Sequence, residues 1–294
     1  MTTREIHGNP SALPTLLKAA LPVLPGVNLL PGVAKKGGQL PDLTLTRQNL
    51  TSDADHVAAY DEVCGFPARQ HLPLTYPHLL AFPLQMGIMT DGAFPFPAIG
   101  TVHLANSITQ HRAIQLDERL SLSSTAQDLR PHPKGRVFDL VTAVTSEGET
   151  VWESTSEYLR VGSGREGADA DAAERDPLVV VPAGPTTWRL PGDLGRRYAA
   201  VSGDHNPIHL YPLTAKAFGF PRQIAHGMAT LARCVAALDN RLPDAVTVVV
   251  EFKKPMFLPG SVAFGSRISH ELVEFSLTRP KDGAPHLVGR ATPA

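Results

Sequence analysis

The chain has 294 residues, 43% of them hydrophobic, which is enough for two ordinary domains or one large domain with a substantial core. A net charge of −1 gives no global field to attract nucleic acid or an anionic membrane, so specific DNA binding is not expected, although a local basic patch for a phosphorylated ligand is not excluded. Two cysteines, Cys64 and Cys234, are too few for a disulfide framework; we interpret both as buried apolar side chains and expect a cytoplasmic protein.

The N-terminal segment contains an apolar run over residues 11–32. Lys18 and several prolines interrupt this run, so it is too broken to cross a bilayer as about 20 apolar helical residues must. It also lacks the basic start of a signal peptide. We predict an arm over residues 1–40 that packs on the following domain and no integral membrane segment, with loose membrane contact as the alternative.

The first half of the chain, predicted to span residues 41–161, begins with a strand over 42–47 and a helix over 55–65. Alternation of apolar and polar residues with period two predicts four further strands, bounded by turn residues. These strands cover residues 100–108, 119–125, 136–146 and 150–161. A stretch rich in Gly, Ala, Asp and Arg then predicts a linker over residues 162–178.

The second half, predicted over residues 179–294, repeats this order. The predicted elements are a strand over 186–190, a helical stretch over 191–203, a polar loop, a helix over 226–238, and strands over 246–252, 261–268, 271–279 and 286–292. Apolar residues of the 226–238 helix recur at the period of one helix face. An antiparallel sheet with this helix on its inner face satisfies the order.

Two local matches indicate an internal repeat. The segment that begins at Tyr60 matches the one that begins at Tyr198, and the same offset places His71 opposite His209. The segment that begins at Ile108 likewise resembles the one that begins at Val250. Phe66, however, stands opposite Asp204. The polar set is therefore complete only in the second half, which predicts one active site per chain and a structural role for His71.

The polar loop brings Asp204 and His209 within five residues of each other, with Asn206 and Pro207 between them. Pro207 fixes its own φ and pushes Asn206 toward an extended conformation, which predicts a sharp turn. A carboxylate and an imidazole that face one water form a competent acid–base pair. The alternatives at this point are an ordinary polar turn and a metal site of Asp204, His205 and His209, which lacks a further ligand at a recognised spacing.

The helix after this loop begins near Gly227, which has no side chain to obstruct its backbone N–H. The positive end of the helix dipole strengthens the attraction of that N–H for negative charge, so the position suits an oxygen that becomes negative during a reaction. The simpler interpretation is that His226 and Gly227 only cap the helix. Loop and helix together indicate a carbonyl compound activated at its α and β carbons.

Residues 198–232 resemble the signature of the MaoC-like dehydratases and (R)-specific enoyl-CoA hydratases. The shared pattern is an aromatic residue, Ser-Gly-Asp-x-Asn-Pro-Ile-His, an alanine, Gly-Phe and a final His-Gly-Met. Residues 72–89 and 94–108 are similar to the degenerate first hotdog of two-hotdog members of that family. The resemblance implies an α+β double hotdog, with two antiparallel sheets that each wrap around a helix.

The resemblance also implies the reaction. Asp204 and His209 would be the catalytic dyad, and the Gly227 N–H would bind a thioester carbonyl. The enzyme would be a hydro-lyase of fatty acid metabolism that reversibly adds water, in syn fashion, to trans-2-enoyl thioesters, giving (3R)-hydroxyacyl thioesters. It would need no metal and no cofactor beyond the CoA or acyl carrier protein of its substrate. The supporting residues would be Ser202, Gly203, Asn206, Pro207 and His226.

The same resemblance predicts that residues 80–89 line an acyl pocket and that the chain forms a homodimer. Arg222, Lys253 and Lys254 are candidates for the phosphates of the thioester carrier, with solvated surface charges as the alternative. Two other functions stay open: a hotdog thioesterase that hydrolyses the same substrates, and a non-catalytic subunit that binds acyl thioesters. The Asp-x-Asn-Pro-Ile-His spacing over residues 204–209 favours the hydratase over the thioesterase. The complete pair of Asp204 and His209 favours it over the non-catalytic subunit.

Overall fold

The computed structural model describes residues 2–7, 38–162 and 176–294. Most of the predicted arm and linker therefore lies outside the described residues. The elements up to residue 162 are β1 (Thr2–Glu5), β2 (Leu43–Leu50), α1 (Ala54–Cys64), α2 (Tyr76–Met89), β3 (Thr101–Gln110), β4 (Leu120–His132), β5 (Gly135–Ser146) and β6 (Glu149–Val161).

The second half has the same order of elements. These are β7 (Thr187–Leu190), α3 (Leu194–Ser202), the short helices α4 (Pro207–Leu210) and α5 (Pro212–Ala217), α6 (Gly227–Leu238), β8 (Val246–Phe252), β9 (Gly260–Ser269), β10 (Leu272–Thr278) and β11 (Pro285–Pro293). Every strand and helix that the sequence predicts is present, and most of the predicted ends agree with the observed ends to within a few residues.

The described strands form a single sheet in the order β1-β2-β4-β5-β6-β3-β8-β11-β10-β9-β7. Apart from β1, the two halves mirror each other across the antiparallel pair of β3 and β8, where Ala105–Gln110 faces Val246–Glu251. The two expected sheets are thus the halves of one continuous sheet. The sheet is also not purely antiparallel, because the exposed strand β1 pairs in parallel with β2. With four residues and no buried side chain, β1 gives no periodic signal.

The helices of the two halves meet in one hydrophobic core. Tyr60 of α1 and Tyr198 of α3 are buried, with ring centroids 6.4 Å apart. Both cysteines are buried and free, as predicted. Helix α2 was not predicted, because it is apolar on nearly every face, contains Pro83 and shows no clear helical period. No helix in the described part of the chain has the length and apolar character needed to cross a membrane.

Ile108 tests the junction of the two halves. Its side chain is fully buried on β3, opposite Val248 of β8. We expect Ile108→Ala to lower the free energy of unfolding by about 2–5 kcal/mol, since the truncation leaves a cavity where the half-sheets join. The measurement is chemical denaturation followed by circular dichroism. The matched control is Ile268→Ala on β9, where the side chain is 49% exposed and the expected change is within about 0.5 kcal/mol. Equal losses in the two variants would contradict the assigned junction.

Candidate active site

The loop after α3 is held by its own hydrogen bonds. Gly203 ends the helix in the left-handed region, at φ 74°, where a side chain would be strained. The backbone N–H of Asp204 donates to Ser202 Oγ (3.2 Å), and Asp204 Oδ1 accepts the N–H of Asn206 (3.1 Å). Asn206 is extended, at φ −55° and ψ 124°, and Pro207 follows as the first residue of α4. The predicted turn is confirmed, although it continues into one helical turn.

Asn206 connects this turn to His209. Its side-chain oxygen accepts the N–H of Ile208 (3.4 Å), and its backbone carbonyl accepts the N–H of His209 (3.0 Å). Gly195, which the sequence did not single out, allows α3 to approach α4 closely. A Cβ at Gly195 would lie 1.9 Å from the carbonyl oxygen of His209. The position of the His209 backbone therefore depends on a glycine one helix away.

The ring of His209 is buried and fixed in one tautomer. Its Nδ1 lies 2.8 Å from the carbonyl oxygen of Ile224. Because a carbonyl can only accept, Nδ1 carries the hydrogen. In the neutral ring the lone pair is then on Nε2, the nitrogen that can take a proton.

His226 contacts both members of the predicted dyad. Its ring stacks on that of His209 with centroids 3.7 Å apart, and its Nε2–H donates to the backbone carbonyl of Asp204 (2.9 Å). The same nitrogen lies 3.8 Å from Asp204 Oδ2. The Tyr198 ring also packs against the His226 ring, with centroids 4.9 Å apart. The sequence marked His226 only as a helix cap or support; here it lies against both Asp204 and His209.

The electrostatics of the site keep its carboxylate ionised and its imidazoles neutral. Burial acts to raise the pKa of Asp204, but the His226 and His209 rings and the N–H of Asn206 outweigh it, so this pKa lies below its ordinary value. Burial lowers the pKa of His209, and the Asp204 carboxylate and the Ile224 carbonyl offset this only in part. Burial lowers the pKa of His226 to about 3, assisted by His209. At neutral pH an ionised carboxylate, which can accept a proton, therefore lies beside a neutral imidazole, which can accept a proton and then donate it.

Gly227 is the first residue of α6, and no side chain caps this helix end. Its backbone N–H has no acceptor within the helix, as holds for the first turn of any α-helix. A Cβ at this position would lie 3.0 Å from the ring of Phe252, so glycine also leaves room for that ring. The amide is therefore free to bind an oxygen beside the dyad.

Asp204, His209 and Gly227 line one cavity of about 370 Å³. Helix α2 supplies part of its apolar wall, through Phe82, Pro83, Met86 and Met89 from the predicted 80–89 segment. The first half also contributes polar residues that sequence reasoning missed, namely His78, His103 and Tyr158. Both halves of the chain therefore build the cavity, although the dyad comes from the second alone.

The candidate carrier-binding cations lie at the second-half side of this cavity. Lys253 and Lys254 line it, and Lys254 also lines a neighbouring cavity of about 270 Å³ together with Arg222 and Arg279. Lys253 is ion-paired with Glu251, which leaves less of its charge for a ligand. Arg279 is a further cation at this mouth that the sequence did not indicate.

The matching place in the first half carries no such site. Phe66 is buried and stacks on Tyr60 with centroids 6.0 Å apart. Nδ1 of His71 lies 3.4 Å from the carbonyl oxygen of Leu72, and His71 also interacts electrostatically with Asp61. Neither residue lines the cavity that holds Asp204.

Ligand atoms of Asp204, His209 and His226 lie within 4.8 Å of one another, a spacing that a metal ion could bridge. His205, which the sequence suggested as a ligand, is not in this group. The ring hydrogens argue against a metal here, because His209 Nδ1 donates to Ile224 and His226 Nε2 donates to the Asp204 backbone. The nitrogen of His226 nearest the carboxylate therefore has no lone pair to offer.

Comparison with known proteins places this geometry among its relatives. The family described as "MaoC like domain" matches residues 178–288. The 3-hydroxyacyl-thioester dehydratase X of Mycobacterium tuberculosis is 38% identical over 279 residues, which cover 95% of this chain and 96% of that protein. The crystal structure of HtdX of Mycobacterium tuberculosis, with 36% identity and a TM-score of 0.76, covers 85% of this chain and 100% of its own.

A shorter match concerns the (R)-specific enoyl-CoA hydratase of Aeromonas caviae. It is 35% identical over 69 residues, covering 22% of this chain and 52% of that protein. The structural neighbours confirm the predicted fold class, an α+β double hotdog.

The imidazole of His209 provides a direct test of the site's electrostatics. NMR titration of the ring should give a midpoint below the ordinary value of 6.5, because burial disfavours the imidazolium. In Asp204→Asn the midpoint should fall further, since the carboxylate that stabilises the imidazolium is gone. Asp282→Asn, an exposed carboxylate paired with Arg279, is the matched control and should leave the midpoint unchanged. A rise of the midpoint in Asp204→Asn would contradict the assigned arrangement.

Proposed function

Because the chain belongs to the MaoC-like dehydratase family, we propose that Asp204 and His209 carry out hydration and dehydration at its active site. The enzyme is a hydro-lyase of acyl thioesters: it interconverts trans-2-enoyl thioesters and 3-hydroxyacyl thioesters. The observation that carries the assignment is the fixed tautomer of His209, whose Nδ1–H is held by Ile224 while Asp204 lies beside it.

In the hydration direction the dyad holds one water against the β-carbon of the enoyl thioester. Nε2 of His209 accepts a proton from this water as the water oxygen bonds to the β-carbon. The α-carbon then receives a proton from the dyad on the same face. One water is added in total, and the dyad returns to its starting protonation state. Dehydration reverses these steps.

Gly227 stabilises the intermediate stage. As the water oxygen bonds to the β-carbon, electrons move through the α-carbon toward the thioester oxygen, which gains negative charge. The Gly227 N–H at the start of the twelve-residue helix α6 donates to that oxygen, and the helix dipole acts in the same direction. Such a donor contributes most where water is excluded, and the cavity beside it has a mostly apolar wall.

Ser202, Gly203, Asn206, Pro207 and His226 hold the dyad in place rather than react. Ser202 and Asn206 fix the turn through backbone hydrogen bonds, and His226 holds the Asp204 backbone while its ring supports that of His209. Since both reacting groups approach the substrate from the same side, addition is syn. The product is the (3R)-hydroxyacyl thioester, in keeping with the (R)-specific relative.

The cavity suggests how the substrate lies. The acyl chain extends along α2 and β3 of the first half, past Phe82 and Met86. The carrier arm leaves toward Lys254 and Arg222, whose charges suit phosphate groups of CoA or of the arm of an acyl carrier protein. Lys253, paired with Glu251, is the weakest of the three candidates.

The remaining features of the proposal concern the setting of the enzyme. The reaction uses no metal or redox cofactor, because His209, supported by the Asp204 carboxylate, takes and returns the proton and the Gly227 amide supplies the electrophilic function. The buried, free thiols of Cys64 and Cys234 suit a cytoplasmic protein. The chain works as a homodimer, since two hotdogs in one chain correspond to half of a larger hotdog assembly.

The dyad is tested by Asp204→Asn and His209→Ala. Each variant should lower kcat/KM for a trans-2-enoyl-CoA by about 10²- to 10⁴-fold, because His209 takes the proton from water and the Asp204 carboxylate stabilises the imidazolium that results. Hydration is followed as loss of the enoyl-thioester absorbance, and the product configuration is determined by chiral chromatography. Full activity in both variants would refute the mechanism.

His71→Ala is the matched control, because His71 occupies the place in the first half that corresponds to His209. It should retain nearly wild-type activity. A loss as large as that of His209→Ala would show that the first half takes part in catalysis. Release of free thiol, detected with a thiol reagent, would support a thioesterase. Binding of acyl-CoA without turnover would support a non-catalytic subunit.

A further inference from the structure

Three polar side chains of the first half line the same cavity as the dyad, and the proposed mechanism uses none of them. His78 lies on α2, His103 on β3 and Tyr158 on β6. His78 is only 5% exposed. Among the described residues, its Nδ1 and the Nε2 of His103 have no hydrogen-bond partner. Buried polar groups are nearly always paired, so these atoms call for an explanation.

The three groups lie close together. The His103 ring stacks on Tyr158 with centroids 4.5 Å apart and an interplanar angle of 18°, and the His78 ring lies 6.3 Å from that of His103. No hydrogen bond joins the Tyr158 hydroxyl to any part of the chain that the structure describes, whereas the buried tyrosine Tyr60 bonds Thr75 (2.7 Å). Packing and a hydrogen bond between the His103 ring and the Ala105 backbone therefore order the cluster, while Nδ1 of His78 and Nε2 of His103 keep no partner among the described residues.

The location of the cluster relates it to the acyl chain. His103 packs on Phe252 at 5.0 Å, and Phe252 in turn lies against Gly227. The cluster is therefore one aromatic ring away from the amide that binds the thioester oxygen. Its members line the first-half side of the cavity along with the apolar residues of α2, and each is near enough to Asp204 for that carboxylate to affect its pKa. An acyl chain that extends from the dyad along α2 passes it.

All three groups are uncharged at neutral pH. Burial lowers the pKa of His78 to about 4 and that of His103 to about 3. Burial also raises the pKa of the Tyr158 hydroxyl, which keeps its proton. Among the described residues that line this side of the cavity there is no Lys or Arg. A carboxylate would be left without a counter-charge here, whereas a hydroxyl or ketone oxygen would find donors and acceptors.

We propose that His78, His103 and Tyr158 form a polar subsite for an uncharged oxygen substituent, a hydroxyl or a ketone, on the acyl chain of the substrate beyond its β-carbon. This inference rests on the proposed function and specifies its substrate class. The Tyr158 hydroxyl donates to the substituent, and the imidazoles accept from a hydroxyl or donate to a ketone. Acyl chains without such a substituent leave the three groups unpaired, which lowers their affinity.

The test compares pairs of trans-2-enoyl-CoA substrates with acyl chains of equal length. One member of each pair is unsubstituted, and the other has a hydroxyl at one carbon beyond the double bond; each such carbon is tested in turn. For at least one position the wild type should prefer the hydroxylated substrate in kcat/KM by about tenfold, the effect of one hydrogen bond to a buried group. Tyr158→Phe, which retains the ring stack, should reduce this preference toward unity. His103→Phe should act in the same direction.

The matched control is Tyr76→Phe, which removes a hydroxyl that bonds His56 Nδ1 (2.8 Å) and does not line the cavity. It should keep the wild-type preference. The same preference can be measured without turnover, as the ratio of the binding constants of plain and hydroxylated saturated acyl-CoA molecules determined by calorimetry. The subsite is wrong, while the proposed function stands, on the following result. The wild type hydrates plain and hydroxylated substrates equally at every position, and Tyr158→Phe changes neither the kcat/KM ratio nor the ratio of binding constants. If no enoyl-CoA is hydrated, the proposed function fails, and equal binding of the saturated pairs would overturn the subsite as well.

Discussion

The proposed active site depends on one hydrogen bond, from Nδ1 of His209 to the carbonyl of Ile224. This bond determines which nitrogen carries the hydrogen and therefore which one can act as base. The geometry of this hydrogen bond requires the chain to turn at Asn206 and α4 to begin at Pro207. It also requires α3 to pass so close to His209 that only glycine fits at residue 195. Much of the polar and small-residue pattern of the loop follows from holding one imidazole in one orientation.

The two halves of the chain share the fold but divide the work. The second half has the carboxylate, the imidazole and the free helix amide. In the first half Phe66 fills the place of the carboxylate and packs into the core. This half provides part of the wall of the cavity through α2, including Pro83 inside the helix, and through the polar cluster of His78, His103 and Tyr158. A site repeated twice would have left less room for a substrate chain.

The sequence predicted every described strand except β1, the paired order of the halves, and the positions of Asp204, His209 and Gly227. These features have local signals: period-two alternation, a proline turn and a glycine at a helix start. Helix α2 has no such signal, since it is apolar on nearly all sides. The stacking of His226 on His209, the close approach at Gly195 and the cluster of His78, His103 and Tyr158 all join residues distant in sequence. They follow from how α2, α3 and the sheet pack, and no spacing along the chain encodes that packing.

We propose that one dyad, Asp204 and His209, delivers the water and the proton from the same face of the substrate. Hydration of a trans-2-enoyl-CoA in deuterium oxide tests it most directly, with the configuration of both new centres read by NMR of the product. Asp204 and His209 on one side of the cavity predict a single product, with a (3R)-hydroxyl and deuterium at the α-carbon on the same face. Deuterium on the opposite face, a (3S)-hydroxyl, or a mixture at the α-carbon would contradict it.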